Sequence, residues 1–204
     1  ETIDRQIEAV KQIAMADTIL VTKTDLVDPS LLEKLKNRLK IFNPAADQIT
    51  VKNGVADLNP LLNQSFYNLK NKSLDAQNWL KAEAYNQDHH HAHTHYDINR
   101  HDAEIKAFCV TIDEPILNGA LDIWLRALQM FRGADLLRVK GIINIASKNE
   151  PMIIHGAQHI LHPSIFLKEW PNEDRCSRIV FITRNIDPSE LLASIQSMAK
   201  NEPL

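Results

Sequence analysis

The sequence predicts a parallel α/β portion followed by a small α+β domain, the latter one antiparallel sheet with helices on one face. Three observations predict it. Helical and strand patterns alternate through the first fifty residues, the rhythm of a parallel α/β sheet. The last hundred residues run β-α-β-β-β-α. Between them lies a polar, histidine-rich stretch with no apolar period, the composition of a linker or exposed loop.

Ile3, Ile7, Val10, Ile13 and Ala14 mark one helical face over residues 2–15, and Asp17 breaks it. Thr18 to Thr22 is β-branched and apolar, a short buried strand. Asp28-Pro29 opens a helix, because Asp can cap and proline suits the first helical position. Leu31, Leu32, Leu35 and Leu39 are its expected inner face, and Asn43-Pro44 stops it. Ile49 and Val51 alternate with polar residues as a second strand. Gly54 turns the chain, and 57–62 and 75–85 are expected as helices. Ala103 to Ile112 is a strand. Glu114-Pro115 begins a helix whose inner face is Leu117, Leu121, Trp124, Leu128 and Phe131, ended at Arg132-Gly133. Leu136 to Ala146 and Met152 to His159 flank the polar turn Ser147 to Pro151 and should pair antiparallel. Arg178 to Thr183 is another strand. Asp187-Pro188-Ser189-Glu190 has the form of a capping box, followed by Leu191, Leu192, Ile195 and Met198 on a final helix.

With 204 residues, 44% hydrophobic and 24% charged, the chain can bury a core of ordinary size. A net charge of −3 gives no global basic field, so neither nucleic acid nor membrane is an expected partner. No apolar run is long enough to span a bilayer. Cys109 and Cys176 lie far apart in no metal or redox spacing, which fits a reducing compartment, the cytoplasm. The acidic, amphipathic start at Glu1 is unlike a targeting peptide, and the chain is expected to begin inside a longer protein.

The strand ILV ends in Thr22-Lys23-Thr24-Asp25. Such an ending is what a solvated strand edge looks like, and also what a base-reading loop needs. Guanine offers two adjacent donors, N1–H and the N2 amine, and one carboxylate accepts both. Adenine presents a lone pair at that ring nitrogen. Leaving a buried carboxylate unpaired costs on the order of 2–5 kcal/mol, enough to discriminate. Lys23 would lay its stem along the base and Thr22 would tie the loop to its neighbours. The carboxyl end of a parallel strand is where open α/β sheets bind ligands.

The run QIAMADTILVTKTDLVD resembles the CobW-like family of P-loop GTPases, in which a helix bearing Q-x-A-x-A-D leads into a strand and then Asn/Thr-Lys-x-Asp-Leu; here these are Gln12, Ala14, Ala16, Asp17, Thr22, Lys23, Asp25 and Leu26. FNPAADQITVKNG resembles the segment that follows, where Val51 to Gly54, Asn53 among them, would add backbone contacts to the base. GADLLRVKGIINIA, PMIIHGAQHILHPS and WPNEDRCSRIVFITRNID are similar to the CobW C-terminal domain, anchored at Leu137, Arg138, Lys140, Gly141, Trp170, Arg178, Phe181 and Ile182. The resemblance implies the end of a GTPase domain over 1–72, a His-rich linker over 73–102 and a CobW-like C-terminal domain over 103–204.

The family's phosphate loop, G-x-x-x-x-G-K-[ST], matches none of Gly54, Gly119, Gly133, Gly141 or Gly156, and its Cys-x-Cys-Cys metal motif is absent too. Phosphoryl transfer rests on phosphate positioning and magnesium. The chain alone is therefore expected to be inactive as a GTP hydrolase, and base contacts alone give at best millimolar affinity, about −4 kcal/mol.

DHHHAHTHYD supplies His89, His90, His91, His93 and His95, imidazoles suited to zinc or another divalent transition metal. A loop of this kind binds weakly and exchangeably, because ordering it opposes binding. His155, His159 and His162 form a second set, expected as ordinary core or surface residues of a hairpin. Arg138 and Lys140 are expected on a strand face open to water, Trp124 in the core and Trp170 packing a turn.

These readings imply a part of a GTP-dependent metal chaperone or metal-insertion protein, using GTP or GDP with magnesium and zinc or another metal in the full-length protein. It would supply guanine specificity, a metal-gathering loop and a domain that recognises a client metalloprotein or a second copy. The alternative is a non-enzymatic metal-buffering or protein-interaction module.

Overall fold

A computed structural model describes residues 2–57, 59, 80–85, 104–171 and 173–200. In the first portion, α1 (Thr2–Arg5) and α2 (Ile7–Met15) are separated at Gln6, whose backbone is extended. β1 (Thr18–Val21) follows, then α3 (Pro29–Phe42) and β2 (Asp47–Thr50). β1 and β2 pair in parallel from Thr18–Asp47 to Val21–Thr50, the arrangement the rhythm predicted. Asp28 caps α3 by accepting the Ser30 N–H at 2.8 Å, with Pro29 in the first turn.

The second portion is a six-stranded sheet. Its strands are β3 (Ile105–Ile112), β4 (Leu136–Ile143), β5 (Met152–Ala157), β6 (Ile160–Leu161), β7 (Ile165–Phe166) and β8 (Ser177–Arg184), in the order β3-β8-β4-β5-β6 with β7 also on β5. All of its pairings are antiparallel. Between β3 and β4 comes α4 (Asn118–Arg132), and α5 (Pro188–Lys200) follows β8. Asp187 caps α5, its carboxylate accepting from the Ser189 N–H at 2.9 Å and the hydroxyl at 2.6 Å.

α4 and α5 cover one face of this sheet, as expected. Leu121, Trp124, Leu128, Leu191 and Ile195 meet Val139, Ile143, Ile154, Ile179 and Phe181 there. The Trp124 indole N–H donates to the Ser194 hydroxyl at 2.9 Å, joining the two helices. The opposite face is covered as well, by the first portion of the chain. Val10 and Ala14 of α2, Phe42 of α3, and Leu80 and Tyr85 pack on Leu137, Ile142, Ile153, Val180 and Ile182. The sheet is thus the middle of three layers. Trp170 joins this second cluster, and its indole N–H donates to the Asn149 carbonyl at 2.9 Å.

β4 carries a bulge. Leu136 opposes Thr183 and Arg138 opposes Ile182, so Leu137 is an extra residue on one side of the ladder. Leu136 and Val139 face the α4–α5 layer, whereas Leu137 faces the first portion.

Two expected inner faces need correction. In α3 only Leu39 and Phe42 are buried, while Leu31 is 57% exposed and Leu35 is exposed too. The helix meets α2 and the sheet, and its buried residues lie at its C-terminal end, so among the described residues no layer lies beneath its first turns. In α4, Phe131 is 77% exposed, because the helix seats Leu121, Trp124, Leu125 and Leu128 and the next turn leaves the sheet. That helix starts at Asn118 rather than at Pro115; Ile116 instead bridges Ile145. Residues 82–85 form a single 3₁₀ turn. No helix among the described residues is long and apolar enough to cross a membrane.

Candidate functional site

Because β1 and β2 run in parallel, both leave the sheet at the same rim. After Val21 the chain passes through Lys23 in the left-handed region (φ 57) into a 3₁₀ turn, Thr24–Leu26. After β2 comes a two-residue reversal. Asn53 (φ 49) and Gly54 (φ 77) are both left-handed, and Lys52 and Val55 exchange backbone bonds of 3.0 and 2.9 Å. Asn-Gly is the pair that such a turn prefers. The loops are tied by the Thr24 hydroxyl, which donates to the Val51 carbonyl at 3.2 Å, and by the Asn53 N–H, which donates to Asp25 Oδ1 at 3.5 Å. The tie expected of Thr22 is therefore made by Thr24. Thr22, Lys23, Asp25 and Asn53 stand together at one rim, all exposed, where a planar ligand can reach a carboxylate and a lysine stem.

At the other end of β1 lies a polar junction that the sequence reading missed. Arg138 and Lys140, expected in water, are buried, with side chains 9% and 11% exposed. They face α2, which covers that side of the sheet. The Arg138 guanidinium donates to the Met15 carbonyl and to Asp17 Oδ1, and Lys140 Nζ donates to the same carboxylate oxygen at 2.7 Å. Asn43, also buried, donates to the carbonyls of Ile13, Ala14 and Ala16 at 2.9, 3.2 and 2.8 Å. The last carbonyls of a helix have no intrahelical donor. Here a side chain from α3's end and one from β4 supply them. The signal was legible: two cations two apart within the apolar run LLRVKGII need a partner if that face is covered, and Asp17 is the charge between α2 and β1.

Burial works against the Asp17 charge, but Arg138 and Lys140 outweigh it and hold the carboxyl below its ordinary value. Burial pushes the Lys140 ammonium down to about 8, helped by Arg138 and opposed by Asp17. The junction is one carboxylate between two cations, a charge arrangement fixed by β4 on one side and the start of β1 on the other.

His155 lies opposite Lys140 in the β4–β5 register and stacks on His162, ring centroids 4.3 Å apart and 14° from parallel. His159 does not share this face: β5 ends at Ala157, and Gln158 turns the chain with φ 53. Burial, then His162, Lys140 and Arg138, holds the His155 imidazole below its ordinary value. The unfolded chain therefore takes up a proton first as the pH falls below about 6.5. Stability present above that value is expected to fall on acidification, with His155→Gln flattening the decline; melting temperatures at pH 5.5 and 7.5 check it.

His89, His90, His91, His93 and His95 lie outside the described residues, as do the expected domain limits near 72 and 103. Among the described residues no group of three or more His, Cys, Asp or Glu could hold a metal ion. Cys109 and Cys176 are both free thiols.

Comparison with known proteins places these features. Residues 1–50 match the family model described as the CobW/HypB/UreG nucleotide-binding domain, and residues 105–199 match the cobalamin synthesis protein cobW C-terminal domain. The zinc chaperone YjiA of Escherichia coli (strain K12) is 26% identical over 192 residues, 94% of this chain and 55% of that protein. The chain thus spans little more than half the length of this relative. Two solved structures share the fold at 24% identity, covering 98% of this chain and 57% of theirs. They are a Zn(II)-bound triple mutant of the YjiA GTPase, with a TM-score of 0.69, and the Zn(II)-bound YjiA GTPase from E. coli, at 0.68.

Proposed function

The chain is a CobW-type protein, a CobW/HypB/UreG nucleotide-binding segment joined to a CobW C-terminal domain, and from that premise we propose that it serves a GTP-dependent metal chaperone or metal-insertion protein. Asp25 reads guanine through its two neighbouring donors, Lys23 lies along the base, and Thr22 and Asn53 complete the rim. The observation that carries this reading is the convergence of the two loops at the carboxyl rim of a parallel strand pair, with the Asn53 N–H donating to Asp25. A chain with no glycine-rich phosphate loop in its sequence offers the purine side of a site and not the phosphate side. Phosphates and magnesium belong, in this proposal, to other parts of the full-length protein. Leu20, Leu31 and Leu35 are exposed beside a parallel sheet that has two strands among the described residues, whereas parallel sheets are normally covered on both faces.

The histidine-rich segment gathers zinc or another divalent transition metal, and the C-terminal domain meets a client metalloprotein or a second copy. The zinc-chaperone relative favours zinc as the cargo. The test is metal content and zinc competition on the full-length protein, with and without GTP. Replacing His89, His90, His91, His93 and His95 by alanine is expected to remove the weak, exchangeable zinc. Unchanged stoichiometry would end the role of that segment.

A further inference from the structure

The junction at the entry of β1 bears on the loop at its exit. α2 ends at Met15, whose carbonyl receives Arg138, and Asp17 follows at once, held by Arg138 and Lys140. β1 begins at Thr18 and runs only to Val21, a span of about 13 Å. Thr22, Lys23 and Asp25 come directly after it. Among the described residues this four-residue strand is paired with β2. The strongest polar anchor at its entry among the described residues comes from β4, a strand of the other sheet. Arg138 and Lys140 are buried, so a shift of β1 along its axis draws the Asp17 carboxylate away from two cations held out of water, which is costly.

We propose that Arg138 and Lys140 are positioning residues for the purine-reading loop. They hold the start of β1 so that nucleotide occupancy at Asp25 and the seating of the C-terminal sheet favour one another. This deepens the reading of Thr22 to Asp25 as a guanine site and rests on it. Coupling of this kind is reciprocal: whatever the sheet contributes to nucleotide affinity, the nucleotide returns to the seating of the sheet. The C-terminal domain thereby senses the nucleotide without touching it.

The test uses the full-length protein containing this chain, with GDP as the probe. Lys140→Met, which keeps the apolar stem, and Asp17→Asn are each expected to weaken GDP at least about fivefold. The double variant is expected to lose no more than the weaker-binding single variant, because both act through one contact. Lys140→Arg keeps the cation and is expected to restore affinity. GDP should slow amide hydrogen exchange over residues 136–143 in the parent and in Lys140→Arg, but not in Lys140→Met. A lysine with a merely structural role would lower melting temperature without abolishing that nucleotide dependence. Should Lys140→Met fail to fold, Asp17→Asn, altered at an exposed carboxylate, decides by the same readouts. Unchanged GDP affinity in both single variants, with Asp25→Asn still weakening it, overturns the coupling and leaves the purine site standing. Unchanged affinity and base preference in Asp25→Asn overturn both.

Discussion

Replacing Asp25 by asparagine is expected to exchange guanine for xanthine as the preferred base of the full-length protein. A carboxylate accepts from guanine N1–H and N2 together. A carboxamide keeps one acceptor and gains a donor, so it faces the N2 amine donor to donor. Xanthine carries a carbonyl at that position and keeps its N1–H, and it fits the amide on both sides. The lost pair of charge-assisted bonds and the opposed donors should weaken guanine nucleotides by on the order of 2–5 kcal/mol. Xanthine nucleotides should gain in the same variant. Competition of GDP and xanthosine diphosphate against a fluorescent nucleotide measures both. A uniform loss for both bases would mean that Asp25 supports the loop without reading the ring. The Asn53 N–H bond to Asp25 is kept by the asparagine carbonyl, so the loop pairing should survive the change.

The largest loss of stability is expected from Phe181→Ala. Phe181 is 1% exposed on β8, which lies between β3 and β4. Its ring stacks near Phe108, 5.5 Å between centroids, and meets Trp124 edge-on at 6.3 Å. It therefore ties the sheet to α4 at the centre of the larger core. Truncation removes the ring from two aromatic partners and leaves a cavity that a central strand cannot collapse to fill. The expected cost is about 3–5 kcal/mol, a large part of the total stability of an ordinary domain. Phe131→Ala, on the exposed side of α4, should stay within about 0.5 kcal/mol and serves as the control. Urea denaturation of the two variants compares them directly; a loss below about 1 kcal/mol for Phe181→Ala would place the core elsewhere.

Much of the fold was legible because the local signals agreed with the tertiary ones. Asp28-Pro29 and Asp187-Pro188 each stand where a helix begins, and each aspartate caps as its chemistry requires. Asn53-Gly54 turned the chain where two left-handed residues were needed. What failed did so for one reason. Periodicity shows that a face is apolar or polar, but not which layer will cover it. Leu31 and Leu35 have the spacing of a buried stripe and lie beyond the sheet. Arg138 and Lys140 have the charge of a wetted face and lie under α2. The rim loop could be read because its residues are consecutive in sequence. The junction at Asp17 left a signal in the two cations of LLRVKGII, but its pairing was harder to read, since its partners are more than a hundred residues away.

The extra residue in β4 decides which way a charge can point. Counting along a regular strand, odd and even positions belong to opposite sides. Leu137 breaks the count once, so a leucine and an arginine in succession serve the same side, the first for oil and the second for salt. Strike out Leu137 and the parity on both flanks is preserved: Leu136 still looks one way and Arg138 the other, at the loss of one buried leucine. Strike out Val139 instead, and Arg138 or everything beyond it must change sides, delivering a guanidinium or an ammonium into the larger core. Parity would also survive the loss of Arg138, but only the deletion of Leu137 keeps the count and the contact of Arg138 with Asp17 together.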